Sequence, residues 1–292
     1  MKNIFFHSIF LLCFFYINCE KNTDADGSDN NEPIPDLDWD LVWEENFDGQ
    51  TLDQNKWNRL RWRPGWVNNE LQAYTDRDTN LYFEDGNLVI RALVEPGYYD
   101  TDYQNNEYNA DYTSARINTA GKYSTTYGRF DIRAKLPKGR GSWPAIWMLG
   151  ENISSEGWPR CGEIDIMEHV GYDEDIIVTS LHNAALSAGK IGGTDQHGYI
   201  EQPDACKKFN TYTLEWSEDE IKIFVNDKIS LQYPRQDKNW AKWPFDKRFH
   251  LLFNIAVGGN WGGAKGIDDS VFPSRMEIDY VRVYSSKGNR KT

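Results

Sequence analysis

The chain has 292 residues, 45 of them Asp or Glu against 32 Lys or Arg, for a net charge of −13. That excess of negative charge argues against nucleic acid or anionic membrane surfaces as partners; it also fits a strongly sulfated polysaccharide poorly and a neutral one well. The length suits one large all-β domain, and 12 Trp with 16 Tyr exceed what core filling needs. Flat aromatic faces match the flat apolar faces of sugar rings.

Met1 and Lys2 precede an apolar run from Ile4 to Ile17, a charged segment followed by a hydrophobic one, as in a secretory signal. The run is short for a membrane span, which needs about 20 residues. It ends at Cys19, as in a bacterial lipoprotein, so residues 1–18 are expected to be a signal peptide and Cys19 a lipid anchor, with plain secretion as the alternative. Tyr16 and Asn18 depart from the usual lipoprotein pattern. Residues 19–36, rich in Asn, Asp, Glu, Gly, Ser and Pro, have too little apolar content to pack and read as an acidic flexible linker. The folded domain is expected over 37–286, with 287–292 a tail. Export permits disulfides; Cys161 and Cys206 are read either as a bridge or as unpaired thiols, Cys161 packing behind the site.

Along the domain, Trp62 and Trp66 are expected to form an aromatic wall. Asp85-Gly86-Asn87 is a turn signal and Leu88–Ala92 a strand. Residues 95–113 read as a long aromatic and acidic loop, either shaping one end of a cleft or a disordered decoration. Phe130, Ile132, Ala134 and Leu136 alternate with charged residues, a half-buried strand. Trp143 and Trp147, four apart in a strand, share a face. Ile221–Val225 and Lys228–Tyr233 flank Asn226-Asp227 as a hairpin. Phe249–Ala256 and Met276–Tyr284 are further period-two strands. The chain shows no zinc-ligand spacing, phosphate-binding glycine loop or Ser-His-Asp pattern.

The organising stretch is Glu163-Ile164-Asp165-Ile166-Met167-Glu168. In a strand, successive side chains alternate faces, so Glu163 and Asp165 share one face and Ile164 and Ile166 the other. Strict alternation places Met167 beside the acids; a β-bulge at Met167 returns Glu168 to their face. Clustered carboxylates raise one another's pKa, a cost characteristic of sites that use the shifted protons. Two carboxyls flanking a bond, one ionised and one protonated, suit glycoside hydrolysis. Glu163 is then the nucleophile, Glu168 the acid and later the base, and Asp165 the group that orients and tunes Glu163. Their Cα atoms would lie roughly 13 Å apart in a strand, so both side chains must lean inward.

Gly162 through Gly171 closely resembles the active-site strand of glycoside hydrolase family 16, in its laminarinase branch. The resemblance extends from Leu41 to Tyr284 through Trp43-Glu44-Glu45-Asn46-Phe47-Asp48-Gly49, Asn68-Asn69-Glu70-Leu71-Gln72, Ser114-Ala115-Arg116-Ile117, Gly141–Gly150 and Gly258-Gly259-Asn260-Trp261-Gly262-Gly263. It implies a β-jelly-roll sandwich of two antiparallel sheets with a concave cleft. It also implies substrate contacts from Asn69 on the non-reducing side, Arg116, His182 near the donor, Asn254 and Trp261, beside Trp66, Trp143 and Trp147. No cofactor for catalysis is implied, but a structural Ca²⁺ is, with Asp279 matching the family's aspartate and the Gly86 carbonyl and Glu45 as further ligands; Asn46 stands where an acid is usual. The expected function is a monomeric retaining endo-β-1,3-glucanase, with mixed-linkage glucan as a further substrate. The alternatives are a non-catalytic glucan-binding protein and a red-algal galactan hydrolase such as an agarase.

Overall fold

Alternation of apolar and polar residues runs through most of the chain and produces strands almost throughout. The computed structural model describes residues 39–185 and 196–287. The expected signal peptide, linker, Cys19 and most of the tail lie outside the described residues. In chain order the strands are β1 (Trp39–Glu45), β2 (Asn58–Arg59), β3 (Gln72–Tyr74), β4 (Leu81–Glu84), β5 (Asn87–Thr101) and β6 (Glu107–Ser114). Next come β7 (Arg116–Asn118), β8 (Gly128–Lys135), β9 (Ser142–Gly150), β10 (Glu163–Glu168), β11 (Ile176–His182) and β12 (His197–Glu201). The last are β13 (Asn210–Trp216), β14 (Glu220–Val225), β15 (Lys228–Pro234), β16 (Phe249–Val257) and β17 (Ser274–Ser286).

They form two sheets. The ten-stranded sheet runs β15-β14-β13-β8-β17-β5-β6-β3, with β1 on β17 and β4 on β5; the seven-stranded sheet runs β12-β11-β10-β9-β16-β7-β2. This is the jelly-roll sandwich the sequence implies, with one exception to its antiparallel pairing: β3 pairs β6 in parallel. Between the sheets lies one core, to which the smaller contributes Ile146, Met148, Ile164, Ile166, Leu181 and Phe253, and the larger Ile90, Phe130, Ile132, Leu214, Ile223 and Val281. Full burial of each such side chain contributes about 1.5–3 kcal/mol. The residues between them on the smaller sheet's strands face outward and build the site.

One sequence expectation is corrected and one open alternative is decided. Residues 95–113 are no loop: β5 and β6 continue as an antiparallel hairpin, from Leu93↔Thr113 to Thr101↔Glu107, with a register shift between Val94 and Tyr98. Its turn is closed by the Asp102 carboxylate, which accepts the backbone N–H groups of Gln104 at 2.8 Å and Asn106 at 2.9 Å. The bridge between Cys161 and Cys206 does not form; both are free, and Cys161 is buried. The β14–β15 hairpin matches its reading, with Asn226 and Asp227 at φ 47° and 64°, as a two-residue hairpin turn with both residues left-handed requires.

Candidate active site

The acidic strand holds the irregularity its sequence calls for. Against β9, Asp165 pairs with Trp147 and Met167 with Ile146, so the extra residue is Ile166, one position before the one expected. Ile166 and Met167 are both fully buried in the core, and Glu168 emerges on the face of Glu163 and Asp165. The register then sets Val178, Glu168, Ala145, Asn254 and Arg116 in one row across five strands. Glu168 is gripped from both sides. The Trp143 indole N–H donates to one carboxyl oxygen at 3.1 Å, and the Ser180 hydroxyl donates to the other at 3.4 Å.

Glu163 pairs across the strands with His182. The His182 Nε2 lies 3.1 Å from Asp165 Oδ2 and 3.5 Å from Glu163 Oε1. Asp165 is only 4 % exposed, so its influence on Glu163 runs through this imidazole as well as through charge. Burial pushes the Asp165 carboxyl up to about 8. Burial first, then the Asp165 charge, does the same for Glu163, also to about 8, while His182 and Arg116 oppose the rise and the Glu168 charge adds to it. Glu168 is pushed up to about 8 by burial and by Asp165, against His182 and the hydrogen bonds from Trp143 and Ser180. Three such groups titrate as one unit, and at neutral pH that unit retains protons. Glu163, Asp165 and His182 also present donor atoms within 4.8 Å of one another, the only such three-residue cluster among the described residues.

Beyond the acids, Arg116 is buried, its guanidinium 4.8 Å from the Trp147 ring and 4.1 Å from that of Trp62. Stacked between indoles, it keeps its charge in a place that water barely reaches. The Trp147 indole donates to Asn254 Oδ1 at 2.9 Å, and Trp143 meets Trp261 edge to face at 5.4 Å. Asn69 is exposed at a positive φ of 54° and donates to Asn260 Oδ1 at 2.8 Å, tying its loop to the one that carries Trp261. Trp66 lies 5.4 Å from Trp62 and is 47 % exposed.

The outer face of the smaller sheet thus brings together three carboxyls, an imidazole and the indoles of Trp143 and Trp147. The family model for "Glycosyl hydrolases family 16" matches residues 65–282. The chain belongs to glycosyl hydrolase family 16. The beta-glucanase of Rhodothermus marinus is 45 % identical over 267 residues, 88 % of each chain. The crystal structure of the laminarinase from the same organism superposes with a TM-score of 0.76 at 44 % identity, covering 85 % of this chain and 98 % of that one. A laminarinase from Flavobacterium sp. UMI-01 gives a TM-score of 0.75 at 40 % identity, over 84 % and 100 %.

In this family 16 chain, three side chains that sequence reasoning did not single out complete the site. Ser180 shares a strand face with His182, so alternation points to it. Glu70 accepts hydrogen bonds from Gln72 at 2.9 Å and Tyr74 at 3.2 Å, and its charge opposes the burial that lowers the Arg116 pKa. Trp158 tilts over His182 at 5.6 Å, brought there by a turn with no strand period to reveal it. The expected calcium ligands fit an ion poorly as they stand. Glu45 lies 3.4 Å from Lys56 Nζ and accepts the Phe47 N–H at 3.2 Å, and Asp279 is paired with Arg133. The Gly86 carbonyl belongs to the tight β4–β5 turn.

Proposed function

We propose that the protein is a retaining endo-β-glucanase that cuts β-1,3-glucan, with mixed-linkage β-1,3-1,4-glucan as a second substrate. The observation that carries this reading is the bulge, which places Glu168 on the face of Glu163 with Asp165 and His182 between them. Glu163 attacks the anomeric carbon, and the glycosidic C–O bond breaks as Glu168 gives its proton to the leaving oxygen. Glu168, now ionised, takes a proton from water; that water opens the glycosyl–Glu163 ester and the configuration is retained. His182, whose Nε2 lies 3.1 Å from Asp165 and 3.5 Å from Glu163, supports the ionised form of Glu163, and Arg116 adds a more distant positive charge. Asn69, Asn254, Trp143, Trp147 and Trp261 hold the sugar units.

Reducing-sugar release and product sizes on laminarin, mixed-linkage glucan and agarose, measured side by side, test the assignment. Internal cutting of the first two with no product from agarose is expected. Binding of laminarin without turnover would favour the glucan-binding alternative, and products from agarose the galactan one. We also infer that the chain acts as a monomer and is exported, held at the cell surface through Cys19; mass spectrometry of the mature amino terminus tests the anchor. A Ca²⁺ at Glu45, Gly86 and Asp279 would have to displace Lys56 and Arg133, and a melting temperature raised by Ca²⁺ and lowered by chelator would mark it.

A further inference from the structure

The turn of the β5–β6 hairpin forms one side of a cavity that Trp62, the ring over Arg116, also lines. Its volume is about 210 Å³, and its walls include Trp62, Trp66, Arg63, Asp102, Tyr103 and Gln104. The hairpin is fixed over that spot by its own hydrogen bonds. The Arg61 guanidinium donates to Asp100 at 2.7 Å and to the Thr101 carbonyl at 2.9 Å. The Arg61 N–H donates to the Tyr103 hydroxyl at 2.9 Å, which itself donates to the Arg59 carbonyl at 3.3 Å. Both ends of the Tyr103 hydroxyl are thus used, and its ring is left 60 % exposed, opposite a Trp66 that is 47 % exposed. Exposed aromatic rings held rigidly around a concavity are a binding feature rather than packing. A chain of contacts joins the cavity to the acidic face: Trp62 forms one of its walls and stacks on Arg116, which stacks on Trp147.

Resting on the glucanase reading above, we propose that this cavity is an accessory carbohydrate site that takes one further β-glucopyranosyl ring beyond the catalytic groove. Trp66 and Tyr103 would supply apolar faces for the ring, and Arg63, Asp102 and Gln104 polar groups for its hydroxyls. At about 210 Å³ the cavity is too small for a run of sugar units. The ring is either the next unit of the main chain or a β-1,6-linked side branch, which present the same chemistry.

The test compares kcat/KM on a linear β-1,3-gluco-trisaccharide, on long linear β-1,3-gluco-oligosaccharides and on β-1,6-branched ones. Wild type is measured against Tyr103→Ala, Trp66→Ala and Tyr103→Phe. In Tyr103→Ala and Trp66→Ala, the ratio of long-chain to trisaccharide kcat/KM should fall about tenfold, the loss of one aromatic stacking face, and the loss should appear in KM. Tyr103→Phe, which keeps the ring, should stay near wild type. A fall confined to branched substrates assigns the branch, and a fall on linear ones the main chain. Trp66→Ala leaves the hairpin's hydrogen bonds intact, so it guards against a Tyr103→Ala that merely loosens the turn. If wild type turns over all three substrates and neither alanine variant moves the ratio, the accessory site is overturned and the glucanase reading stands. If wild type turns over none of them, the glucanase reading falls and the site falls with it.

Discussion

Replacing Asp165 by Asn removes the most buried charge of the acidic cluster while keeping its size. The Asp165 carboxyl is pushed from an ordinary 3.8 to about 8 by burial, so over that range the folded protein holds a proton that the unfolded chain has lost. A folded pKa above the unfolded one means that the contribution to stability is present below about pH 4 and is lost as pH climbs toward 8. At about 1.36 kcal/mol per unit, an isolated group shifted that far would cost roughly 6 kcal/mol at alkaline pH. Glu163 and Glu168 share the retained protons, and the His182 ring 3.1 Å away recovers part of the cost, leaving about 2 kcal/mol for one charge. The variant should therefore melt roughly 4–8 °C above wild type near pH 8.5 and no higher near pH 4. Guanidinium titrations across that pH range, read by tryptophan fluorescence, give the difference directly. A stability difference that does not change with pH would refute the claim that this carboxyl is protonated in the folded protein at neutral pH.

Other changes separate the parts of the machinery. Glu163→Gln and Glu168→Gln should each lower kcat on laminarin roughly 10³-fold or more, with laminarin binding by calorimetry retained in the first. Glu168→Gln should keep most of its rate of glycosyl-enzyme formation on aryl glycosides whose leaving groups need no proton, seen as a burst of released phenol. Trp143→Phe removes the indole N–H that favours ionised Glu168, so the alkaline limb of kcat should move up by about half a pH unit; a downward move would contradict the assigned hydrogen bond. In Gly171→Ala, the new Cβ would sit 1.8 Å from the Gly139 carbonyl oxygen, a backbone clash expected to cost about 3 kcal/mol or more in denaturant melts.

Much of this was legible because alternation is strict where one face of a strand is buried. Trp143 and Trp147 share their face because they are four apart, and three acids on one face require an extra residue in their strand. What a single strand cannot reveal is its register against its neighbours. The meeting of His182 with Asp165 and Glu163, and the row from Glu168 to Arg116, exist only once β10 is aligned with β11 and β9, β16 with β7. The β5–β6 hairpin was misread because Pro96 and Gly97 interrupt it and its faces carry acids and amides. Its period was nonetheless present in Tyr108, Ala110 and Tyr112. The parallel β3–β6 contact left no signal, since β3 is three residues long.

The bulge itself can be tested by parity. Deleting Met167 leaves Glu163-Ile164-Asp165-Ile166-Glu168, a strict alternation in which all three acids still face the groove. The core loses one fully buried methionine, an effect of about 2–5 kcal/mol, and the bulge's added local twist disappears. If face assignment is what the extra residue must not disturb, the deletion variant should fold and cleave laminarin well above the level of Glu168→Gln. Its preference between β-1,3 and mixed-linkage glucan should shift, because the twist no longer sets the angle of Glu168. Turnover no better than that of Glu168→Gln in a folded deletion variant would mean that the bulge supplies the aim of the acid itself, and that a shared face alone does not make these two carboxyls a catalytic pair.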